Sequence, residues 1–305
     1  MKLTMNNTLP ALMLALCAVP AVAAAESTPT FGFDAGVGYQ YDSNVNIAQL
    51  DSNTGEADSA LTYELGLDGD IPVTDKLSLN IGYGYTRTAY QEFSEFDLGL
   101  HQGTAQLGYR IGHFDTAIAL RQFVVMLDNE RFMDIRQVSP SVSRLFGESF
   151  YLRAAYTSAE KTYEENVERD AVNDAIGADA YFLLDGMKQY VAIGIEAASE
   201  NARDAELDYD GTRLKATYGH QLQWLSRDLE FKARVQVENR DYANVTESIG
   251  APRRDERFRA SLSAGLPLSE TFSLEGEAAY GDNASNLDSA AYDETVFSVN
   301  LTAAF

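Results

Sequence analysis

Basic residues recur at every second position in three stretches in the second half of the chain. Each stretch holds two of them: Arg213 and Lys215, Lys232 and Arg234, and Arg257 and Arg259. Alternate side chains of an extended strand point to the same face, so all six cations would share one side of a sheet. Ladders of charge set which ions pass through a pore. The spacing therefore predicts a basic wall patch that would orient polar or anionic solutes.

The sequence offers little for catalysis or metal binding. His101, His113 and His220 are far apart along the chain, and it has no Gly-x-Ser-x-Gly motif. Hydrolysis needs a nucleophile, a base and an orienting group within reach of one another. A calcium loop could begin at Asp42, but Ile47 stands at its glycine position and lacks the required freedom. We expect no enzymatic activity, no metal and no cofactor.

The charge balance excludes nucleic acid as a partner. The 305 residues include 23 Lys and Arg against 46 Asp and Glu, a formal net charge of −23. Phosphate binding requires a basic surface. Many acids fall in polar stretches between predicted strands, as in 164–170. Two interpretations stay open for them: divalent-cation binding at a lipopolysaccharide surface, or simple solvated charge.

The N-terminus has the order of a secretory signal peptide. Lys2 precedes an apolar stretch from Leu9 to Val22, and small residues follow over 21–25. Charge, short apolar core and small-residue cleavage site predict a signal peptide over residues 1–25. A membrane anchor is the alternative, although a spanning helix needs about 20 unbroken apolar residues. The exported chain would then be residues 26–305.

Apolar and polar residues alternate along almost all of residues 26–305, which is the pattern of β-strands. The first stretch runs from Phe31 to Tyr41, and the last from Phe297 to Phe305. About 14 such stretches occur, each with its connection about 20 residues long, which fits strands that cross a bilayer. Short turns, as at 72–76 and 112–113, alternate with longer polar loops, as at 42–60, 159–170 and 241–253.

This arrangement predicts an all-β fold, a closed antiparallel transmembrane β-barrel of about 14 strands. Short turns would lie in the periplasm and longer loops outside the cell. A soluble β-sandwich is the alternative, but its two sheets would need a shared apolar core. Here the second face of most stretches is Gly, Ser, Thr, Asn, Gln and charge. The apolar face therefore suits lipid and the other face suits water.

The last stretch resembles the C-terminal signal of Gram-negative outer-membrane β-barrels. Its apolar residues alternate and end on an aromatic residue at the last position: Phe297, Val299, Leu301, Ala303 and Phe305. The resemblance implies location in the outer membrane and insertion by the barrel-assembly machinery. It also implies contact with outer-membrane lipids and lipopolysaccharide.

A narrower resemblance begins at Tyr41-Asp42-Ser43-Asn44-Val45-Asn46. This tract is similar to the opening of the C-terminal barrel of the surface lipoprotein assembly modifiers, and to openings of other porin-like barrels. The assembly modifiers usually carry an N-terminal helical-repeat domain, whereas alternation here begins soon after the predicted cleavage site. The resemblance implies lipoproteins as partners.

The face opposite the apolar one would line the lumen. Besides the six cations of the wall patch it carries a further set of charged residues: Arg110, Arg121, Arg153, Glu275 and Glu277. These charges either set the selectivity of a pore or neutralise one another in a closed lumen. We expect a porin-like passive channel for small polar or ionic solutes. The alternatives are a surface-lipoprotein export or assembly barrel, and a plugged structural barrel with a binding surface on its loops.

Overall fold

The computed structural model describes residues 28–224 and 227–305, which form a single closed barrel. The predicted signal peptide, residues 1–25, lies outside the described residues. The strands run in chain order as follows: β1 Thr30–Asp42, β2 Asn46–Ile47, β3 Ser52–Asn53, β4 Asp58–Pro72, β5 Leu77–Tyr90, β6 Leu98–Ile111, β7 Phe114–Leu127, β8 Glu130–Phe146, β9 Phe150–Tyr163, β10 Ala171–Leu183, β11 Gln189–Ala202, β12 Tyr209–Trp224, β13 Arg227–Thr246, β14 Ala251–Pro267, β15 Phe272–Ser285 and β16 Tyr292–Ala304. Single 3₁₀ turns occupy Ser94–Phe96, Val167–Arg169, Ala205–Leu207 and Asp288–Ala290.

Fourteen of these strands form the barrel, and each pairs antiparallel with its neighbours in the sheet. The first strand closes the sheet on the last, with Val37 opposite Leu301. Closure leaves no open edge, as a sheet in lipid requires. No helix within the described ranges has the length and apolarity to cross a membrane. The prediction of a closed fourteen-stranded antiparallel barrel is confirmed.

The two faces of the strands differ as the alternation predicts. The apolar row lies on the outside, where Val37, Ile118 and Ile193 are each about half exposed. The opposite row lies inside, and polar residues such as Gln40, Ser139 and Asn300 are buried there. An apolar outer band over a polar interior is the arrangement of outer-membrane barrels. The alternation of apolar and polar residues was therefore sufficient to predict which face of each strand lies outside and which faces the lumen.

The predicted long connections 42–60, 159–170 and 241–253 are all shorter in the structure, at 43–57, 164–170 and 247–250, and the last differs most. Strands β13 and β14 continue past the level of the other strands, and only residues 247–250 join them. The long loop predicted at 241–253 was wrong. Its polar residues are strand residues of a hairpin that projects beyond the barrel, with a bulge between Asp241 and Val245. Polar residues on both faces of a strand outside the membrane hide the alternation on which the prediction depended.

Residues 43–57, which we call the L1 hairpin, fold back on themselves between β1 and β4. The short strands β2 and β3 pair Asn46 with Asn53 and Ile47 with Ser52. The tip residue Asp51 has a φ of 53°, and Gly55 has a φ of 67°. Positive φ at these points lets the chain turn sharply, at little cost for glycine and at some cost for aspartate. L1 is thus a hairpin with its own hydrogen bonds.

Candidate pore lining

Strand register brings the predicted basic patch together on the inner wall. Lys215 lies opposite Gln236, which lies opposite Arg259. One step nearer the long-loop end, Arg213 lies opposite Glu238, which lies opposite Arg257. Arg234 lies one step nearer the short turns, between Thr217 and Ser261. The basic residues therefore lie at successive levels along the wall, and at one level Glu238 lies between Arg213 and Arg257.

Arg213 is held between two carboxylates. Its Nη1 donates to Glu196 Oε1 at 2.6 Å and its Nε donates to Glu238 Oε2 at 3.2 Å. The other oxygen of Glu238 accepts from Arg240 Nε at 2.6 Å. The Arg240 guanidinium lies 4.6 Å above the ring of Tyr209, a stacking geometry typical of arginine. These side chains form one charge-balanced layer.

Asp179 holds two more of the predicted residues. Lys215 Nζ lies 2.8 Å from its Oδ1, and Arg153 Nη1 lies 3.8 Å from its Oδ2. Lys232 Nζ lies 3.6 Å from a Glu230 oxygen. Each of these cations is therefore close to a carboxylate: Lys215 to one two strands away, Arg153 to one on the adjacent strand, and Lys232 to one on its own strand. Arg110, near the short turns, donates from Nε to Asp115 at 2.9 Å.

A third group lies near the extracellular mouth on β14. Arg253 binds both oxygens of Asp255, each at 2.8 Å. Arg257 Nη2 donates to the same carboxylate at 3.2 Å. Arg259 Nη1 donates to Glu294 of β16 at 3.2 Å. The forked pair of Arg253 with Asp255 combines charge with a fixed geometry, so these two side chains hold each other in place.

Arg234 differs from the other members of the patch. Its side chain is exposed to the lumen, and within residues 28–224 and 227–305 it makes no ion pair and no hydrogen bond to a side chain. Arg121 also lies on the inner face, between Thr104 and Gln137 in register. Glu277 lies at the level of Ser263, and Glu275 at the level of Gly265. Among the described residues, Arg234 is thus the one of the six patch cations that makes no ion pair.

A cavity of about 390 Å³ lies inside the barrel against this wall. Arg213, Arg234 and Glu238 line it on one side, and Gln49 and Asp51 of the L1 hairpin line it on another. Charged and polar groups facing an enclosed space favour water and polar solutes over apolar ones. Phe123, Met133 and Ile135 also line it, so the cavity has a charged side and an apolar side under an inward-folded loop.

Asp51 connects the L1 hairpin to two distant parts of the barrel. Its Oδ1 accepts from Arg253 of β14 at 2.8 Å and its Oδ2 accepts from Arg169 of the loop 164–170 at 3.0 Å. Burial alone would raise the pKa of Asp51, but the hydrogen bonds and charges of Arg253 and Arg169 outweigh it and lower the pKa. The carboxylate is therefore ionised when L1 is in this position.

The structure places the three histidines on different elements, and two of them contact tyrosines. His101 Nδ1 lies 2.8 Å from the hydroxyl of Tyr83, and His220 Nδ1 lies 3.0 Å from that of Tyr218. Both pairs belong to the apolar outer row rather than to the lumen. His113 lies in the two-residue turn between β6 and β7. Tyrosine, rather than a serine or a carboxylate, is the partner of two of the three.

Sequence reasoning missed the carboxylates that neutralise the patch and the loop that covers it. Glu196, Glu238 and Asp255 occupy inward positions that the alternation could have supplied, since Arg234, Gln236 and Glu238 continue one row. The role of Asp51 had no such signal. Its partners lie 118 and 202 residues away along the chain, and loop residues follow no period.

The fold and its polar lumen define the chain as a porin-like outer-membrane β-barrel. Solved structures with the same fold include the outer membrane channel DcaP of Acinetobacter baumannii, with a TM-score of 0.56, 9% identity and coverage of 93% of this chain and 99% of that chain. The anion-selective porin from Comamonas acidovorans has a TM-score of 0.52, 10% identity and coverage of 92% and 100%. Outer-membrane expressed OmpT of Vibrio cholerae has a TM-score of 0.53, 10% identity and coverage of 92% and 99%. These likenesses concern the fold.

The sequence places the chain in a more specific group than its fold does. Residues 31–305 match the family model described as surface lipoprotein assembly modifier. The chain belongs to this family, as the tract from Tyr41 to Asn46 suggested. No curated protein sequence matches the chain.

Proposed function

We propose that the barrel is a porin-like passive channel for small polar or ionic solutes. The observation that carries the proposal is the cavity of about 390 Å³, with charged residues along one side, inside a closed fourteen-stranded wall. Two structures with the same fold are described as a channel and as an anion-selective porin, which supports the same class of function. Arg213, Lys215, Arg234, Arg257 and Arg259 would shape its selectivity, together with the carboxylates between them.

Single-channel recording of the refolded mature protein in a planar bilayer tests this proposal. Stepwise conductance that depends on the barrel being folded is the expected result. The folded state is checked by the mobility difference between heated and unheated samples on a denaturing gel. A folded barrel that gives no steps, with the L1 hairpin either present or shortened, would contradict a channel function.

The second candidate is handling of surface lipoproteins, and the family match favours it. In this function the barrel would act on a lipoprotein partner during its display on the cell surface. The test is protease accessibility of a co-expressed lipoprotein in intact cells with and without the barrel. Surface exposure that requires the barrel would support this candidate. Exposure that is the same in both strains would remove it.

We also propose that the chain has no catalytic role and that it reaches the outer membrane through the signal peptide at residues 1–25. The tyrosine partners of His101 and His220 support the first point. N-terminal sequencing of the protein purified from outer membranes tests the second, with a start at Ala24 or Glu26 expected. A protein that retains Met1 would contradict cleavage.

A further inference from the structure

The L1 hairpin crosses the extracellular mouth of the barrel. On one side Asn44 Nδ2 donates to the Asp293 carbonyl at 3.0 Å and Asn53 Nδ2 donates to the Ser289 carbonyl at 3.3 Å. The tip reaches Arg253 and Arg169, which come from β14 and from the loop between β9 and β10. Contacts on these separate parts of the wall place the hairpin across the lumen and not along one side of it.

The far wall has an apolar patch where the hairpin lands. Buried side chains of β6 to β9 form it: Leu100, Phe123, Val125, Phe132, Met133, Ile135, Ala159 and Tyr163. Ile47 of L1 is buried in this cluster, and Leu50 packs against it. Interiors of outer-membrane barrels are polar, so an apolar inner patch would be unfavourable in contact with water. The wall is shaped to receive this hairpin.

The hairpin can move as one unit. Besides the β2–β3 pairing, Val45 N donates to Glu56 O at 3.1 Å and Thr54 N donates to Val45 O at 2.9 Å. These bonds are internal to L1 and would survive its displacement. Several hydrogen bonds attach it to the barrel, including Asn46 Nδ2 to Glu294 Oε2 at 2.6 Å and Arg169 Nη1 to Gln49 O at 2.7 Å. Among the described residues, the ion pairs of L1 with the wall are the two made by Asp51. Bonds between two charged groups are stronger than neutral ones, so Asp51 makes a large contribution to the attachment at the tip.

We propose that the L1 hairpin is a hinged gate over the lumen and that the contact of Asp51 with Arg253 and Arg169 holds it closed. The proposal rests on the channel function proposed above. In the closed position the hairpin covers the cavity, including the apolar patch on its far side. Loss of the Asp51 contact shifts the population toward an open position in which the patch meets water.

Thiol labelling tests the gate without requiring any conductance. Cys17 is the only cysteine of the sequence and lies in the predicted signal peptide, so Met133→Cys gives the mature protein a single thiol. Met133 is 1% exposed beneath the hairpin. In this background, Asp51→Asn should raise the rate of labelling by a charged methanethiosulfonate on the order of tenfold, because two charge-assisted hydrogen bonds are lost.

Glu56→Gln is the matched control, because it removes the same charge from the same hairpin. Glu56 is exposed, and among the described residues its side chain makes no ion pair and no hydrogen bond. Its labelling rate should equal that of the parent. Arg169→Gln, which weakens the contact from the other side, should act like Asp51→Asn and serves if the first variant does not fold. Equal rates in all folded variants would overturn the gate.

Conductance separates failure of the gate from failure of the channel. If Asp51→Asn speeds labelling and raises open probability, both proposals stand. Faster labelling with no conductance in any variant supports the gate and contradicts the channel. Conductance in the parent that Asp51→Asn leaves unchanged, together with unchanged labelling, contradicts the gate and supports the channel.

Discussion

Charged side chains in the lumen should differ in their effects on ion selectivity and on stability, because most of them are paired with an opposite charge. Arg234→Gln removes an exposed cation without disturbing a partner. It should shift the reversal potential in a salt gradient toward cations and leave the free energy of unfolding unchanged. Arg259→Gln should shift the potential in the same direction. It should also destabilise the barrel by up to about 3–5 kcal/mol, because Glu294 is buried and loses its charge partner.

Reversal potentials and denaturant titrations of the two variants check this contrast. Reversal potentials that equal the parent value for both would show that the wall patch does not govern selectivity. A fully stable Arg259→Gln protein would show that Glu294 finds other compensation in the mouth of the barrel.

The pH dependence of the gate follows from Asp51. Its pKa is lowered in the closed position, so its contribution to closure is full above the ordinary carboxyl pKa and is lost as pH falls through the lowered value. Open probability should therefore stay constant from pH 7 to about 4 and rise below that. The same titration of Asp51→Asn isolates this group, because other carboxylates titrate in both proteins. Parallel curves in the two proteins would contradict the assignment.

At the scale of elements, the strands could be predicted and the extracellular connections could not. A strand that separates lipid from water must alternate, so the positions from Phe31 to Tyr41 reveal both the strand and its outward face. The inward row of basic residues on β12 to β14 was predicted from the same alternation. Beyond the membrane no such constraint applies, which is why the long hairpin at 241–253 was predicted as a loop. The placement of L1 depends on Asp51 meeting distant arginines, and sequence spacing contains no information on that.

The pairing of β1 with β16, which closes the barrel and which we call the seam, leads to a further prediction. A Cβ at Gly38 would overlap the Asn300 side chain, which itself accepts a hydrogen bond from Thr62 at 2.9 Å. Gly38→Ala should lower the free energy of unfolding by about 1–3 kcal/mol, as overpacking does. Gly84→Ala is the control, since nothing lies within 4 Å of its Cβ position. Denaturant titration should separate the two, and equal stabilities would show that the seam relaxes freely.

The last strand supplies the predicted insertion signal. Phe305 is 71% exposed, and its ring lies 6.0 Å from that of Phe33. If the barrel-assembly machinery recognises the terminal aromatic residue, Phe305→Ala should lower the amount of folded protein in outer-membrane fractions severalfold. Phe31→Ala is the matched control, because Phe31 is also exposed on the outer face near the short turns. An equal yield of the two variants would assign Phe305 to lipid contact alone.

At the scale of the whole molecule, the distribution of charge is asymmetric across the lumen. The arginine wall on β12 to β14 is largely neutralised by its own carboxylates. On β1 and β4, by contrast, Asp34, Glu64 and Asp68 face inward and take part in no ion pair with the described residues. Paired charges largely cancel at a distance, whereas unpaired ones add to the potential that an ion meets. Counting basic residues along the sequence therefore overstates the preference for anions.

The channel should accordingly prefer cations. In a gradient of potassium chloride the parent protein should give a reversal potential on the cation side, and Asp34→Asn with Asp68→Asn should move it toward zero. Asp75→Asn is the control for each single substitution, because it removes one aspartate charge in the turn between β4 and β5, outside the lumen. Salt should weaken the preference, since screening shortens the reach of each charge to about 10 Å at 0.1 M. A reversal potential on the anion side would mean that Arg234 outweighs the carboxylates of β1 and β4, and that an ion passes closer to the arginine wall than to the opposite one.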